Sequence, residues 1–150
     1  MNRLILLDSG PLGMVTNPKA KGLPFACQQW LKMLLKRGEQ FAIPEIADYE
    51  VRRELLRANL LESVRRLDDS KQTLKYIPIQ TDAMLLAANL WAEVRRKGQP
   101  TADPKALDGD VILAAQAQIL TNEMTQVIIA TTNVGHLSRL ATALNWQDID

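Results

Sequence analysis

Among its 150 residues the chain has a single cysteine, Cys27, and a single histidine, His136, and only 5% of its residues are aromatic. One thiol excludes an intramolecular disulfide framework and fits a reducing compartment. One imidazole excludes a histidine-rich metal site. No apolar run approaches the roughly 20 residues a helix needs to cross a bilayer. No cleavable signal pattern precedes the first apolar stretch, so a cytoplasmic protein without membrane attachment is expected. The net charge is +1, so any affinity for nucleic acid has to come from a local patch. No Gly-x-x-x-x-Gly-Lys run occurs, which removes a Walker-type nucleotide site. Internal repeats and low-complexity stretches are also missing.

What is present reads as one globular domain over residues 1–150, with 47% hydrophobic and 23% charged residues. Leu4-Ile5-Leu6-Leu7 is an apolar run of buried-strand length, and residues 3–8 are expected to form the first strand. Pro11 to Pro24 is rich in proline, glycine and asparagine and is expected to be a loop. Helical spacing follows from Phe25 to Lys36, then a short strand at Phe41-Ala42-Ile43. Pro44 opens a helix at the position where a missing N–H costs nothing. That helix runs through Ala58, with a break near Asn59 and a continuation towards Leu67. A third strand, on an edge because of its proline, is expected around Tyr76–Ile79. Thr81 is expected to cap the next helix, and Gln99 to Leu107 to be a loop. An alanine-rich helix from Asp110 to Leu120, a buried strand Val127–Thr131, a helix Val134–Ala143 and a strand fragment near Trp146 complete the pattern. Strands separated by helices imply an α/β fold with a parallel sheet between two helical layers. Cys27 and the three tryptophans, Trp30, Trp91 and Trp146, are expected in the core.

The acidic residues carry the chemistry. Asp8 ends the first strand, Glu50 lies in the helix after the second, Asp110 opens the alanine-rich helix with Asp108 just before it, and Asn133 follows the Val127–Thr131 strand. In an open parallel sheet the carboxyl ends of the strands border the ligand crevice. Carboxylates and an amide oxygen gathered there are hard donors that suit Mg²⁺ or Mn²⁺ better than zinc. Each residue also has a plain structural reading. Asp8 fits a turn, Glu50 could pair with Arg53, Asp108 and Asn133 could be helix caps, and Asp110 could answer the helix dipole.

The chain resembles PIN-domain ribonucleases, and among them the toxin components of VapBC-type toxin–antitoxin pairs. The resemblance rests on Leu6-Leu7-Asp8-Ser9, on Pro44 followed six residues later by Glu50, on Gly109-Asp110-Val111-Ile112-Leu113-Ala114-Ala115-Gln116-Ala117, and on Ile129-Ala130-Thr131-Thr132-Asn133. It runs through essentially the whole chain. It implies a three-layer α/β/α PIN-like domain, Mg²⁺ or Mn²⁺ at the acidic cluster, and endonucleolytic cleavage of RNA. It carries over Asp8, Glu50 and Asp110 as acidic ligands and Asn133 as the fourth polar position, with Ser9 and Thr131 as supporting hydroxyls. An antitoxin partner and a homodimer are implied in the same way. The fourth position is Asn where Asp is frequent, which lowers the charge of the site. Glu54 competes for the second position, and the spacing from Pro44 favours Glu50.

For the chemistry, phosphodiester hydrolysis needs an activated water and stabilisation of negative charge, both of which such ions provide. Arg52, Arg53 and Arg57, clustered with Arg65 and Arg66 and with Lys71 and Lys75 beyond, form a cationic patch whose guanidinium groups pair well with phosphate; a solvated, ion-paired helix face is the alternative. His136 is expected to be a structural or surface residue. A phosphatase of the haloacid-dehalogenase type needs a second Asp two residues after the first, where this chain has Gly10. The non-enzymatic alternative is a PIN-like module that binds RNA or protein without cleavage. Three close carboxylates argue against it, because like charges destabilise one another unless a cation offsets them.

Overall fold

The computed structural model describes residues 2–19, 21–98 and 104–150. Strands β1 (Asn2–Leu7), β2 (Gln40–Pro44), β3 (Lys75–Ile77), β4 (Thr125–Thr131) and β5 (Ala143–Asn145) form one five-stranded sheet in the order β3-β2-β1-β4-β5. Every pairing is parallel. The chain therefore builds outward from β1 to one edge, returns to the other side of β1, and builds outward again. That reversal puts the crevice of the sheet at the carboxyl ends of β1 and its neighbours.

β1 is apolar on both faces because both are covered. Ile5 and Leu7 pack with Phe41, Ile43, Ile128, Trp30 and Leu34 on one side. Leu4 and Leu6 pack with Ala42, Val127, Ile129, Leu113 and Ala117 on the other. Helix α2 (Gly22–Lys36) supplies Cys27, Trp30 and Leu34 to the first layer. Trp30 meets Phe41 and Trp146 edge to face and donates its indole N–H to the Ile149 carbonyl at 2.8 Å. Helix α6 (Pro104–Leu120) supplies Leu113 and Ala117 to the second layer. It also packs along α5 (Thr81–Arg96) through Ala83, Ala87, Val111 and Ala115. The three-layer α/β/α PIN-like architecture is the one expected. Among the described residues no helix is long and apolar enough to cross a membrane.

Several local expectations are corrected. The segment after Asp8 is helix α1 (Ser9–Val15), not loop. Pro11 is tolerated because it sits in the first turn, where its missing N–H would have had no helical partner. The first helical bond runs from the Leu12 N–H to the Asp8 carbonyl at 2.9 Å. The alanine-rich helix starts at Pro104, so Asp108 is inside it and is no N-cap; residues 99–103 of the expected loop lie outside the described ones. Helix α7 (Val134–Leu137) ends well before Ala143. Gln80, not Thr81, is the N-cap of α5, and it makes no side-chain capping bond. Trp91 is 42% exposed, with the Arg95 guanidinium 5.4 Å from its ring. Cys27 is buried as expected, and burial pushes its thiol up to about 12.

Helix α3 (Glu45–Arg57) is anchored by charge. Asp48 is 5% exposed and accepts from Arg52 Nε and Nη2 at 2.9 and 3.1 Å, while Lys71 Nζ stands 3.2 Å away. Arg52 also reaches Asp68 at 2.7 Å, on helix α4 (Leu61–Ser70). Glu45 accepts from the Tyr76 hydroxyl at 3.0 Å and the Ile79 N–H at 2.7 Å. The break between α3 and α4 falls at Asn59, whose φ of 56° lets the chain turn sharply. Burial works to raise the Asp48 carboxyl, but hydrogen bonds from Arg52 and Lys71 overcome it and hold the group below its ordinary range. Its stabilisation is present above about pH 4 and is lost as pH falls further. Asp48→Asn is expected to destabilise the domain by about 2 kcal/mol, below the ~3–5 of a fully buried pair because Arg52 and Lys71 remain partly exposed. Urea melts at pH 7 and pH 3 measure this, with the difference from wild type shrinking at the lower pH.

Candidate active site

Asp8 is the best-held member of the acidic set. It lies at the end of β1, where the Ser9 N–H donates to Oδ1 at 2.7 Å and the Thr131 hydroxyl donates to Oδ2 at 2.7 Å. Thr131 is fully buried at the end of β4, and its Oγ also accepts the Asn133 N–H at 3.0 Å. The pairing of Leu7 with Ala130 places these two strand ends side by side. Gly10 presses against Thr132: a Cβ at Gly10 would lie 2.7 Å from Thr132 Oγ1. The β1 and β4 ends are thus locked together by a hydrogen bond and a close contact.

Glu50 arrives from α3 and Asp110 from α6. The Glu50 carboxyl is raised by burial, then by the negative charge of Asp8, with Asp110 adding to it and Arg53 opposing. The Asp110 carboxyl is raised to about 6 by burial, then by Asp8, with His136 opposing. Asp8, Glu50 and Asp110 are therefore brought close enough to repel one another, in partly buried surroundings where such repulsion is strong. As the side chains stand, among the described residues no group of three or more His, Cys, Asp or Glu is gathered tightly enough to hold one metal ion.

The remaining residues divide. Asn133 is exposed and is the N-cap of α7, with no side-chain capping bond. Ser9 reaches the site through its backbone N–H. Asp108 is not brought to the cluster: it lines an apolar groove of about 480 Å³ with Met84, Trp91 and Val111 between α5 and α6. Glu54 is exposed and ion-paired with Arg57 at 2.9 Å, so Glu50 is the carboxylate of α3 that faces Asp8. Of the three candidate phosphate ligands, Arg52 is held by Asp48 and Asp68, and Arg57 by Glu54. Arg53 is the least committed: it is about half exposed, 4.0 Å from Glu50 Oε2, and its guanidinium lies 5.0 Å from the Tyr49 ring centre.

His136 stands closer to the chemistry than its sequence reading allowed. It acts on Asp110, and its Nδ1 is buried without a hydrogen-bond partner among the described residues. Its position, three residues beyond Asn133 at the start of α7, was the available signal: one helical turn separates the two.

No protein-family model matches the chain, and no curated protein matches it. Solved structures do. The chain superposes on a chain of VapBC2 from Rickettsia felis, solved bound to a DNA fragment from its promoter, with a TM-score of 0.69 and 17% identity over 95% of this chain and 98% of that one. FitAB bound to an IR36 DNA fragment gives 0.68 and 18% over 97% of each. VapBC-1 from nontypeable Haemophilus influenzae gives 0.65 and 13%, over 97% and 99%. At these identities the likeness establishes a shared fold.

The raised Asp110 carboxyl gives a signed expectation. Ionising Asp110 opposes folding, so its contribution to stability is present below about pH 4 and is lost as pH rises through about 6. In metal-free protein Asp110→Asn is expected to raise the melting midpoint at pH 7 by about 2–4 °C. The same substitution should flatten the stability profile between about pH 4 and 6. Thermal melts in EDTA across that range measure both, and an unchanged profile would mean that Asp110 does not carry the strain assigned to it.

Proposed function

We propose that this chain is a metal-dependent endoribonuclease, the toxin of a toxin–antitoxin pair. The observation that carries the reading is the convergence of Asp8, Glu50 and Asp110, from β1, α3 and α6, into one partly buried and mutually repulsive set. A fold does not retain such repulsion for its own stability, whereas a divalent cation would reverse its sign. The donors are all carboxylate oxygens, the chemistry that Mg²⁺ or Mn²⁺ takes. Asp8, Glu50 and Asp110 would hold the ion, and their side chains have to draw together to do so. Bound there, the ion would supply a water activated near neutral pH and offset charge on the phosphoryl oxygens.

The protein's own groups do the positioning. Thr131 and the Ser9 N–H fix both oxygens of Asp8, so that carboxylate is ordered beforehand. Arg53 stands beside Glu50 with an exposed guanidinium and is the group best placed to receive an RNA phosphate. The fold shared with VapBC and FitAB chains supports an antitoxin partner; a dimer of this chain is implied by the family resemblance alone. A non-catalytic RNA- or protein-binding module is the second reading; what favours it is the lack of a tight three-residue ligand group among the described side chains.

Purified protein incubated with single-stranded and structured RNAs plus Mn²⁺ or Mg²⁺ is expected to cut internally. EDTA should abolish cleavage, and Asp8→Asn should lower it by at least about 100-fold, the scale on which removal of a group that stabilises the transition state acts. Intact RNA, with no heat of Mn²⁺ binding, would sink the catalytic reading and leave the binding module.

A further inference from the structure

Gly109 sits in the interior of α6, with ordinary helical backbone and no positive φ. Alanine is the better helix former at such a place, so glycine there calls for another reason. The structure supplies one. A Cβ at Gly109 would lie 2.7 Å from Glu50 Oε2, 3.3 Å from its Cδ and 3.6 Å from Oε1. The Glu50 carboxylate therefore rests on the bare Cα of α6. Among the described residues nothing else fixes it: it accepts no hydrogen bond, and its one cationic partner, Arg53, is 4.0 Å away and about half exposed. Asp8, by contrast, has a donor on each oxygen.

We infer that Gly109 is a positioning residue for Glu50, and that its missing side chain sets where the second carboxylate of the acidic site stands. This rests on the proposed reading of Glu50 as a metal ligand. The atoms a methyl group would strike are the far end of a flexible side chain rather than backbone. The fold can yield by swinging Glu50, so the cost falls on the site and not on stability. Gly10 differs, since its close neighbour is the short, branched Thr132.

Gly109→Ala is expected to melt at the same temperature as wild type or higher. A crystal structure of the metal-free variant should show the Glu50 carboxylate moved until it clears the new methyl by about 3.5 Å or more. Mn²⁺ affinity by calorimetry should fall about 10–100-fold, the range for losing a group that orients a ligand. Glu50→Asp, which draws the carboxylate back by one methylene, should weaken binding in the wild-type background. In the Gly109→Ala background it should weaken binding less or restore some of it, giving a non-additive cycle. An unmoved carboxylate, or two substitutions that simply add, would overturn the assignment. A melting temperature well below wild type would also overturn it, because the glycine would then be serving the packing of α6. If wild type itself binds no Mn²⁺, the nuclease reading falls, while the metal-free structure still decides what Gly109 does.

Discussion

The position of the candidate site depends on where β1 stops. Leu4-Ile5-Leu6-Leu7 is buried on both faces, so hydrophobic alternation cannot choose its register: a slip by one residue would exchange one apolar set for another. Polar groups at the two ends make the choice. At the start, Arg3 forks onto Glu39 through Nε and Nη2 at 3.1 and 2.7 Å. At the end, Asp8 takes the Thr131 hydroxyl from a residue 123 positions away. The first contact ties β1 to the start of β2 and the second ties it to β4, whose pairing with β1 runs unbroken from Asn2 opposite Thr125 to Leu7 opposite Ala130. The same contact that fixes register thus fixes the carboxylate, which ties placement of the site to folding of the sheet.

Two acids in the middle of helix α3, Asp48 and Glu50, are treated in opposite ways. Asp48 is supplied with Arg52 and Lys71, which overcome the cost of burial. Glu50, two residues on, is given a second and third carboxylate as neighbours and only a distant arginine. An acid that served structure would be expected to look like Asp48. Glu50 and Asp110 do not, and buried groups that are left short of compensation are candidates for function with a physical rationale.

Much of this was legible in the sequence, for reasons that can be stated. Buried strands in a parallel sheet are continuous apolar runs, and Leu4–Leu7 and Val127–Ala130 read as such. Pro44 marked the start of α3, and Asn59 its end. Other features depend on tertiary contacts that no local pattern contains. Helix α1 was hidden because Pro11, Gly10 and Gly13 read as turn residues; they are tolerated because Asp8 caps the helix and Thr132 needs the space over Gly10. Trp91 follows the apolar stripe of α5 yet lies at the rim of the α5–α6 groove. Arg52 and Arg53 are adjacent and indistinguishable by composition, but only one of them faces the buried Asp48. The role of Gly109 required knowing that α3 passes directly over α6.

The charge pattern also bears on how such a site would meet RNA. With a net charge of +1 and Arg52 and Arg57 already paired within the fold, the described residues offer little free cationic charge beside the acidic cluster. Without an ion, Asp8, Glu50 and Asp110 would repel a phosphate, and among the described residues Arg53 and His136 are the groups that oppose their charge. On the proposed reading, the divalent ion therefore does more than enable chemistry. It converts a surface that rejects the substrate into one that accepts it, so substrate affinity and metal affinity become linked quantities. The arrangement differs from that of general nucleic-acid binders, whose permanent basic surfaces hold any phosphate backbone. Here the attraction would be confined to the place where a carboxylate-bound ion and Arg53 can contact the same phosphodiester.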